Sequence, residues 1–159
     1  MGLDMYLSKK TYVKNWSHND VQHNVVVEKN GVRRTDIKPE RVSYVVEEIA
    51  YWRKFNALHN HIVETHAKGI DECQEIYLQL SDLELIRETL KEVMKKEKSP
   101  SELFPTASGF FFGNTEYDEY YFGEVESTIM VLDEIIEEGN KSDEEHGIYG
   151  PEYVYRASW

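Results

Sequence analysis

The sequence predicts a single α+β domain in which about three helices pack on a mixed β-sheet, with a hairpin near the N-terminus. Segments with strand patterns and segments with helical periodicity follow one another irregularly, which is typical of α+β proteins. The chain has 159 residues and 40% hydrophobic content, enough for one core. Since no repeat or linker divides it, we expect residues 1–159 to form one domain.

The first part of the chain predicts strands. Residues 3–7 are expected to form an N-terminal strand. Asn30 and Gly31 separate residues 25–27 from residues 32–37, and this pair predicts a two-residue hairpin turn because both positions accept positive φ. Residues 42–46 fit either a strand or the beginning of a helix.

Residues 48–66 have helical periodicity and place polar side chains within an apolar face. At about 100° per residue, Asn56 and His59 lie on the same line as Trp52. The residues expected in the core from this segment are Tyr51, Trp52, Phe55, Leu58 and Ile62. A buried amide or imidazole without a partner costs about 1–3 kcal/mol, so Asn56 and His59 each need one. We favour hydrogen bonds to the sheet or the N-terminal strand, with a ligand as the alternative.

The second half predicts a strand over residues 75–80 and a helix from the capping box of Ser81 and Glu84 to about residue 97. The GFFFG segment, residues 109–113, is expected to be a short buried strand with Phe110 and Phe112 in the core. Asn114 or Thr115 should cap a helix that ends near residue 138. An acidic loop over residues 139–151 and a terminal strand over residues 153–159 complete the expected fold.

The net charge of −12 is unevenly distributed. Residues 1–115 hold 17 acids and 16 bases, whereas residues 116–152 hold 13 acids and one base, Lys141. Such a chain repels phosphate backbones, which disfavours nucleic acid as a partner. The acidic segment could instead imitate DNA towards a basic host protein. A single cysteine, Cys73, and the lack of an 18-residue apolar run predict a cytoplasmic protein with no membrane partner.

Four blocks of sequence carry a resemblance to a known family. They are MGLDMYL at residues 1–7, YWRKFNALH at 51–59, SGFFFGNTEYDEYY at 108–121 and YRASW at 155–159. These blocks are similar to those of a family of small, uncharacterised proteins encoded by bacteriophages and prophages. The resemblance implies a phage origin and the cytoplasm of an infected bacterium as the setting. It implies no established activity and no catalytic residues.

The residue chemistry predicts a ligand site without a catalytic centre, cofactor or metal. No phosphate-binding loop, nucleophile elbow or zinc motif is present, and His59 and His61 would point about 200° apart on a helix. Arginine can bind phosphate while tryptophan and tyrosine stack on a base. The predicted ligand-binding residues are Trp52, Arg53, Asn56, His59, Tyr117, Tyr120, Arg156 and Trp159. The structural alternative is that the arginines pair with nearby carboxylates and the aromatic residues build the core.

These observations predict a phage-encoded anti-defence protein that sequesters a nucleotide-derived immune signal without cleaving it. The partner would be an anionic small molecule. One alternative is an acidic inhibitor of a host defence protein, in which the segment over residues 116–152 imitates DNA. Another is a nucleotide hydrolase. Homo-oligomerisation is left open by the sequence.

Overall fold

The computed structural model describes residues 2–20, 22–146 and 150–159, with the backbone alone described for residues 143–146. A short 3-10 helix at Pro39–Arg41 precedes β4. The strands and helices are β1 (Asp4–Tyr12), β2 (Glu28–Lys29), β3 (Val32–Arg33), β4 (Tyr44–Arg53), α1 (Asn56–His66), β5 (Ile76–Leu78), α2 (Leu80–Lys95), α3 (Pro100–Leu103), α4 (Glu119–His146) and β6 (Glu152–Ser158).

The main sheet has the strand order β4-β1-β6-β5, and each neighbouring pair is antiparallel. The predicted α+β fold is confirmed, since the described part of the chain has three long helices and the four-residue α3 beside this sheet. The predicted hairpin is also present as a separate two-stranded sheet of β2 and β3. Its turn residues Asn30 and Gly31 have φ values of 53° and 76°, as the sequence predicts. Its strands are shorter than expected, at two residues each.

The sheet has one face covered by helices and one open face. Along β1, Met5 and Leu7 are fully buried, while Tyr6, Ser8 and Lys10 point to the other side. Strand β6 also directs Tyr153, Tyr155 and Ala157 into the core and Arg156 to the open face, although Val154 on that face is buried as well. The core therefore lies between the sheet and the helices. The residues from the central segment that were expected there, and are buried, are Trp52, Phe55, Leu58 and Ile62.

The predicted helix over residues 48–66 is wrong in its first part, because residues 44–53 form strand β4. This segment is rich in β-branched and aromatic residues, and it pairs along nearly its whole length with β1. Lys54 then has a φ of +59°, which ends the strand before α1 begins at Asn56. In a strand, Tyr51 and Trp52 face opposite sides. Tyr51, expected in the core, is consequently 49% exposed.

The ends of α2 and α4 differ from the sequence prediction. The capping box of α2 is made by Gln79 and Asp82, two residues earlier than the predicted pair of Ser81 and Glu84. At α4, Asp118 accepts the backbone N–H of Tyr121 at 3.0 Å, so Asp118 acts as the cap in place of Asn114 or Thr115. The helix continues through Gly139, where a loop was expected. Residues 147–149 of that expected loop lie outside the described residues.

The GFFFG segment is a turn and not a buried strand. Phe110 is 94% exposed, which contradicts its predicted place in the core. Phe112 is half-buried and packs against the core from its edge. The terminal strand predicted over residues 153–159 is confirmed by β6. Searching the described helices finds none with the length and apolar character needed to cross a bilayer.

Candidate functional site

Asn56 fastens the beginning of α1 to the loop between α3 and α4. Its Nδ2 donates to the backbone oxygens of Phe112 at 3.0 Å and Asn114 at 2.8 Å. Its Oδ1 accepts the backbone N–H of Ala107 at 3.1 Å. The predicted burial and hydrogen bonding of Asn56 are confirmed. These partners belong to the loop and not, as predicted, to the sheet or the N-terminal strand. Asn56 is the first residue of α1, and its side chain lies next to this loop.

His59 is 2% exposed and lies within a hydrogen-bond chain that reaches from the core to the surface. Its Nδ1 is 2.7 Å from the Tyr155 hydroxyl, and its Nε2 is 2.9 Å from the Asp71 carboxylate. Burial raises the pKa of Tyr155 well above its ordinary value, so this phenol keeps its proton. We therefore assign Tyr155 as donor to Nδ1, which leaves Nε2–H to donate to Asp71. The other Asp71 oxygen accepts from the Trp159 indole at 3.3 Å.

Within this hydrogen-bond chain, Tyr155, His59 and Asp71 have the order of a nucleophile, a general base and an orienting carboxylate, but they lack access to a substrate. Tyr155 and His59 are both buried. The cavity beside Tyr155 has a volume of about 10 Å³, far below that of a ligand pocket. These hydrogen bonds instead connect β6 and the segment before β5 to α1. The predicted burial and hydrogen bonding of His59 are confirmed, with its sheet partner in β6.

Three aromatic residues of the predicted site also serve the fold. The buried Trp52 indole donates to Thr128 in α4 at 2.9 Å. The Tyr117 hydroxyl accepts the backbone N–H of Thr106 at 3.2 Å, which holds the loop before α4. Trp159 packs edge-on against Phe112, with ring centroids 6.2 Å apart.

A groove of about 520 Å³ lies on the open face of the main sheet. This volume is within the range of small-molecule sites, about 300–1,000 Å³. Strands β1, β4 and β6 form its floor, and Glu75 stands at its β5 side. The residues lining this open-face groove are Tyr6, Ser8, Lys10, Val46, Glu48, Glu75, Val154, Arg156 and Ser158.

The open-face groove holds two cations, two carboxylates and an aromatic ring. The Lys10 ammonium lies 4.4 Å from the centre of the Tyr44 ring, in a cation–π contact. Arg156 forms no ion pair or hydrogen bond with any side chain that the structure describes. Tyr6 is directly opposite Arg156 across the β1–β6 pair, and its ring centroid is 5.3 Å from that of Tyr51. The groove therefore offers a free guanidinium beside an aromatic surface.

The edge of the open face next to the groove is fixed by Asp4. Its carboxylate accepts the hydroxyl of Tyr51 and forms an ion pair with Arg53 at 3.8 Å. The hydrogen bond to Asp4 raises the pKa of Tyr51, so the phenol remains a donor. Tyr120 donates to the backbone oxygen of Arg53 at 3.0 Å. These contacts hold the tyrosine pair of Tyr6 and Tyr51 in place.

The eight predicted ligand-binding residues do not line one cleft. Arg156 lines the open-face groove, and Arg53 lies on the same face but is engaged with Asp4. Trp52, Asn56 and His59 are buried on the helix side of the sheet. The predicted cleft assumed a helix through residue 53, whereas β4 directs neighbouring residues to opposite faces. Tyr117, Tyr120 and Trp159 lie around the loop and the beginning of α4.

Sequence reasoning missed the floor of the groove, chiefly Tyr6, Ser8, Lys10 and Glu48. Residues 5–8 alternate between apolar side chains and side chains able to stack or form hydrogen bonds. That period of two is the signal of a strand with one solvated face, and it marks these residues as surface positions.

No group of three or more histidine, cysteine, aspartate or glutamate side chains within the described part of the chain could hold a metal ion. Comparison of the chain with protein-family models, curated proteins and solved structures found no match. The functional argument therefore depends on the geometry of the open-face groove.

Proposed function

We propose that this chain is a phage-encoded anti-defence protein that binds a nucleotide-derived immune signal and sequesters it without cleaving it. The binding site is the open-face groove. The setting is the cytoplasm of an infected bacterium, which follows from the resemblance of four sequence blocks to phage and prophage proteins.

The observation that carries this proposal is the unpaired guanidinium of Arg156 beside Tyr6 in a groove of about 520 Å³. Arg156 has no carboxylate partner among the described side chains, although the chain holds 30 acids and 18 bases, and it differs from other unpaired arginines in lining the groove. A guanidinium binds phosphate through two parallel hydrogen bonds, and a tyrosine ring accepts a stacked base. A nucleotide presents both groups at once.

Binding without catalysis is supported by the way the candidate acid–base residues are used. His59 and Tyr155 are buried on the side of the sheet away from the groove, and their hydrogen bond connects the C-terminal strand to α1. The side chains that face the groove can bind phosphate, accept hydrogen bonds or stack. These are the functions of a binding site.

The test is a titration of purified protein into a fixed amount of a nucleotide immune signal, followed by filtration. Sequestration predicts a break at a whole-number ratio of sites to ligand. Heating the retained protein should release the signal chemically intact. Arg156→Gln should abolish retention, whereas Arg87→Gln, on the helix side of the molecule, should leave it unchanged.

Two other results would replace the proposal. Time-dependent loss of signal at about one-hundredth of the stoichiometric amount of protein would indicate a nucleotide hydrolase. Protection of phage growth without retention of any nucleotide would favour an inhibitor of a host protein. Exposed acids of α4, such as Glu126, Glu134 and Glu138, would then be the first surface to test.

A further inference from the structure

We propose that the open-face groove selects a guanine-type base, in which a ring N–H and an amino group lie side by side. This inference rests on the proposed function and specifies its ligand. Glu48 is the residue that reads the base, and Arg156 holds the phosphate.

Glu48 projects from the middle of β4 into the groove. It is paired across the strands with Ser8, which is itself paired with Val154 of β6. The neighbouring Glu47 faces the other side of the strand and forms an ion pair with Lys9 at 3.3 Å. Glu48 makes no ion pair or hydrogen bond with the side chains that the structure describes. The groove therefore contains a carboxylate available to a ligand.

An ionised carboxylate only accepts hydrogen bonds, and it has two oxygens side by side. Its best partner on a purine is an edge with two adjacent donors. Guanine offers this with its ring N–H and its amino group, as two parallel bonds to one carboxylate. Adenine places a ring-nitrogen lone pair next to its amino group, and that lone pair would face a carboxylate oxygen and repel it.

The spacing of the groove residues suits one nucleotide. Glu48 and Arg156 are two strands apart and two residues apart along the strands. Their Cα atoms are therefore separated by about 12 Å, and both side chains reach inwards. Tyr6 lies on the strand between them, opposite Arg156. A base stacked on Tyr6 can thus direct its edge to Glu48 and its phosphate to Arg156.

The test is calorimetry with guanosine, inosine and adenosine 5′-monophosphates on the wild-type protein and on Glu48→Gln. Inosine lacks the amino group, so it isolates one of the two donors. We expect guanosine monophosphate to bind most tightly and inosine monophosphate about tenfold more weakly. Adenosine monophosphate should be weakest. Glu48→Gln should reduce the affinity for guanosine monophosphate about tenfold or more. It should also reduce the difference in affinity between guanosine monophosphate and inosine monophosphate.

Glu47→Gln is the matched control, because it removes the same charge from the same strand on the opposite face. It should leave all three affinities unchanged. Equal affinity for adenosine and guanosine monophosphates, or unchanged guanosine binding in Glu48→Gln, would overturn the base selection and leave nucleotide binding standing. Failure of the wild-type protein to bind any of the three would overturn both proposals. Circular dichroism and the melting temperature of each variant confirm that it is folded.

Discussion

At the scale of single residues, Asn56 connects two parts of the chain that are distant in sequence. Its amide makes three hydrogen bonds to the loop over residues 107–114. Asn56→Ala would leave the partly buried Ala107 N–H and two carbonyl groups without these partners. We expect a loss of about 1–3 kcal/mol in the free energy of unfolding, measured by urea denaturation. Asn60→Ala removes only a 3.4 Å contact to Pro105 and should cost much less. Equal losses in the two variants would contradict this role for Asn56.

Asp71 is the second residue with a specific structural role, because one carboxylate serves both His59 and Trp159. Asp71→Ala would leave the buried imidazole N–H without an acceptor. We expect a loss of about 1–3 kcal/mol in stability. Glu72→Ala is the matched control, since the side chain of Glu72 is exposed. Thermal unfolding of both variants compares their stabilities directly. An Asp71→Ala protein as stable as the wild type would show that the hydrogen bonds of Asp71 are not needed for stability.

At the scale of secondary-structure elements, local patterns predicted strands and helices where tertiary contacts agreed with them. The terminal strand, the hairpin turn and the buried face of α1 are examples. The helix prediction for residues 48–53 was wrong because these residues pair with β1. β1 lies about forty residues earlier in the sequence, and local periodicity carries no information about such a distant contact. The prediction of a buried strand for the GFFFG segment was wrong for a related reason, again a contact that is distant in sequence. Its backbone is held by Asn56, so Phe110 needs no place in the core.

Helix α4 allows local helix propensity and tertiary contacts to be tested separately, because it contains two glycines in different surroundings. A Cβ added at Gly123 would meet nothing within 4 Å. At Gly139 it would lie 2.6 Å from Leu80 and 2.7 Å from the Tyr153 hydroxyl. This close approach explains why a glycine lies inside the helix where the sequence predicted its end.

Alanine at these two positions should therefore have effects of opposite sign. Gly123→Ala should stabilise the protein by about 0.5–1 kcal/mol through helix propensity. Gly139→Ala should destabilise it by about 1–3 kcal/mol through overpacking. Differential scanning calorimetry of both variants measures the contrast. Stabilisation by both substitutions would show that α2 and β6 move away from α4 without cost.

At the scale of the whole molecule, the sequence named residue types that line the open-face groove, but it did not predict where the groove lies. Arginine and tyrosine do meet, as Arg156 and Tyr6, but on a face that depends on strand order and register. A β-bulge between Leu7 and Ser8 also shifts the pairing of β1 with β4, and it brings Glu48 opposite Ser8. Neither the strand order nor the bulge follows from local periodicity.

The net charge of −12 and the two groove cations act on an anionic ligand at different distances. Far from the protein, a phosphate experiences the whole charge and is repelled. The Debye length falls from about 30 Å at 0.01 M salt to about 8 Å at 0.15 M, so salt removes this repulsion before it weakens direct contact with Arg156.

We therefore expect the association rate constant of a fluorescent guanosine monophosphate to rise between these two salt concentrations, as measured by stopped-flow fluorescence. Most anion sites show the opposite trend, because a basic surface attracts the ligand at low salt. Uncharged guanosine should show no dependence. Reversing charge on the exposed face of α4, with Glu134→Lys and Glu138→Lys, should raise the rate at low salt and flatten its dependence. A rate that falls with salt in the wild-type protein would mean that the field of Lys10 and Arg156 extends beyond the groove and outweighs the acidic surface.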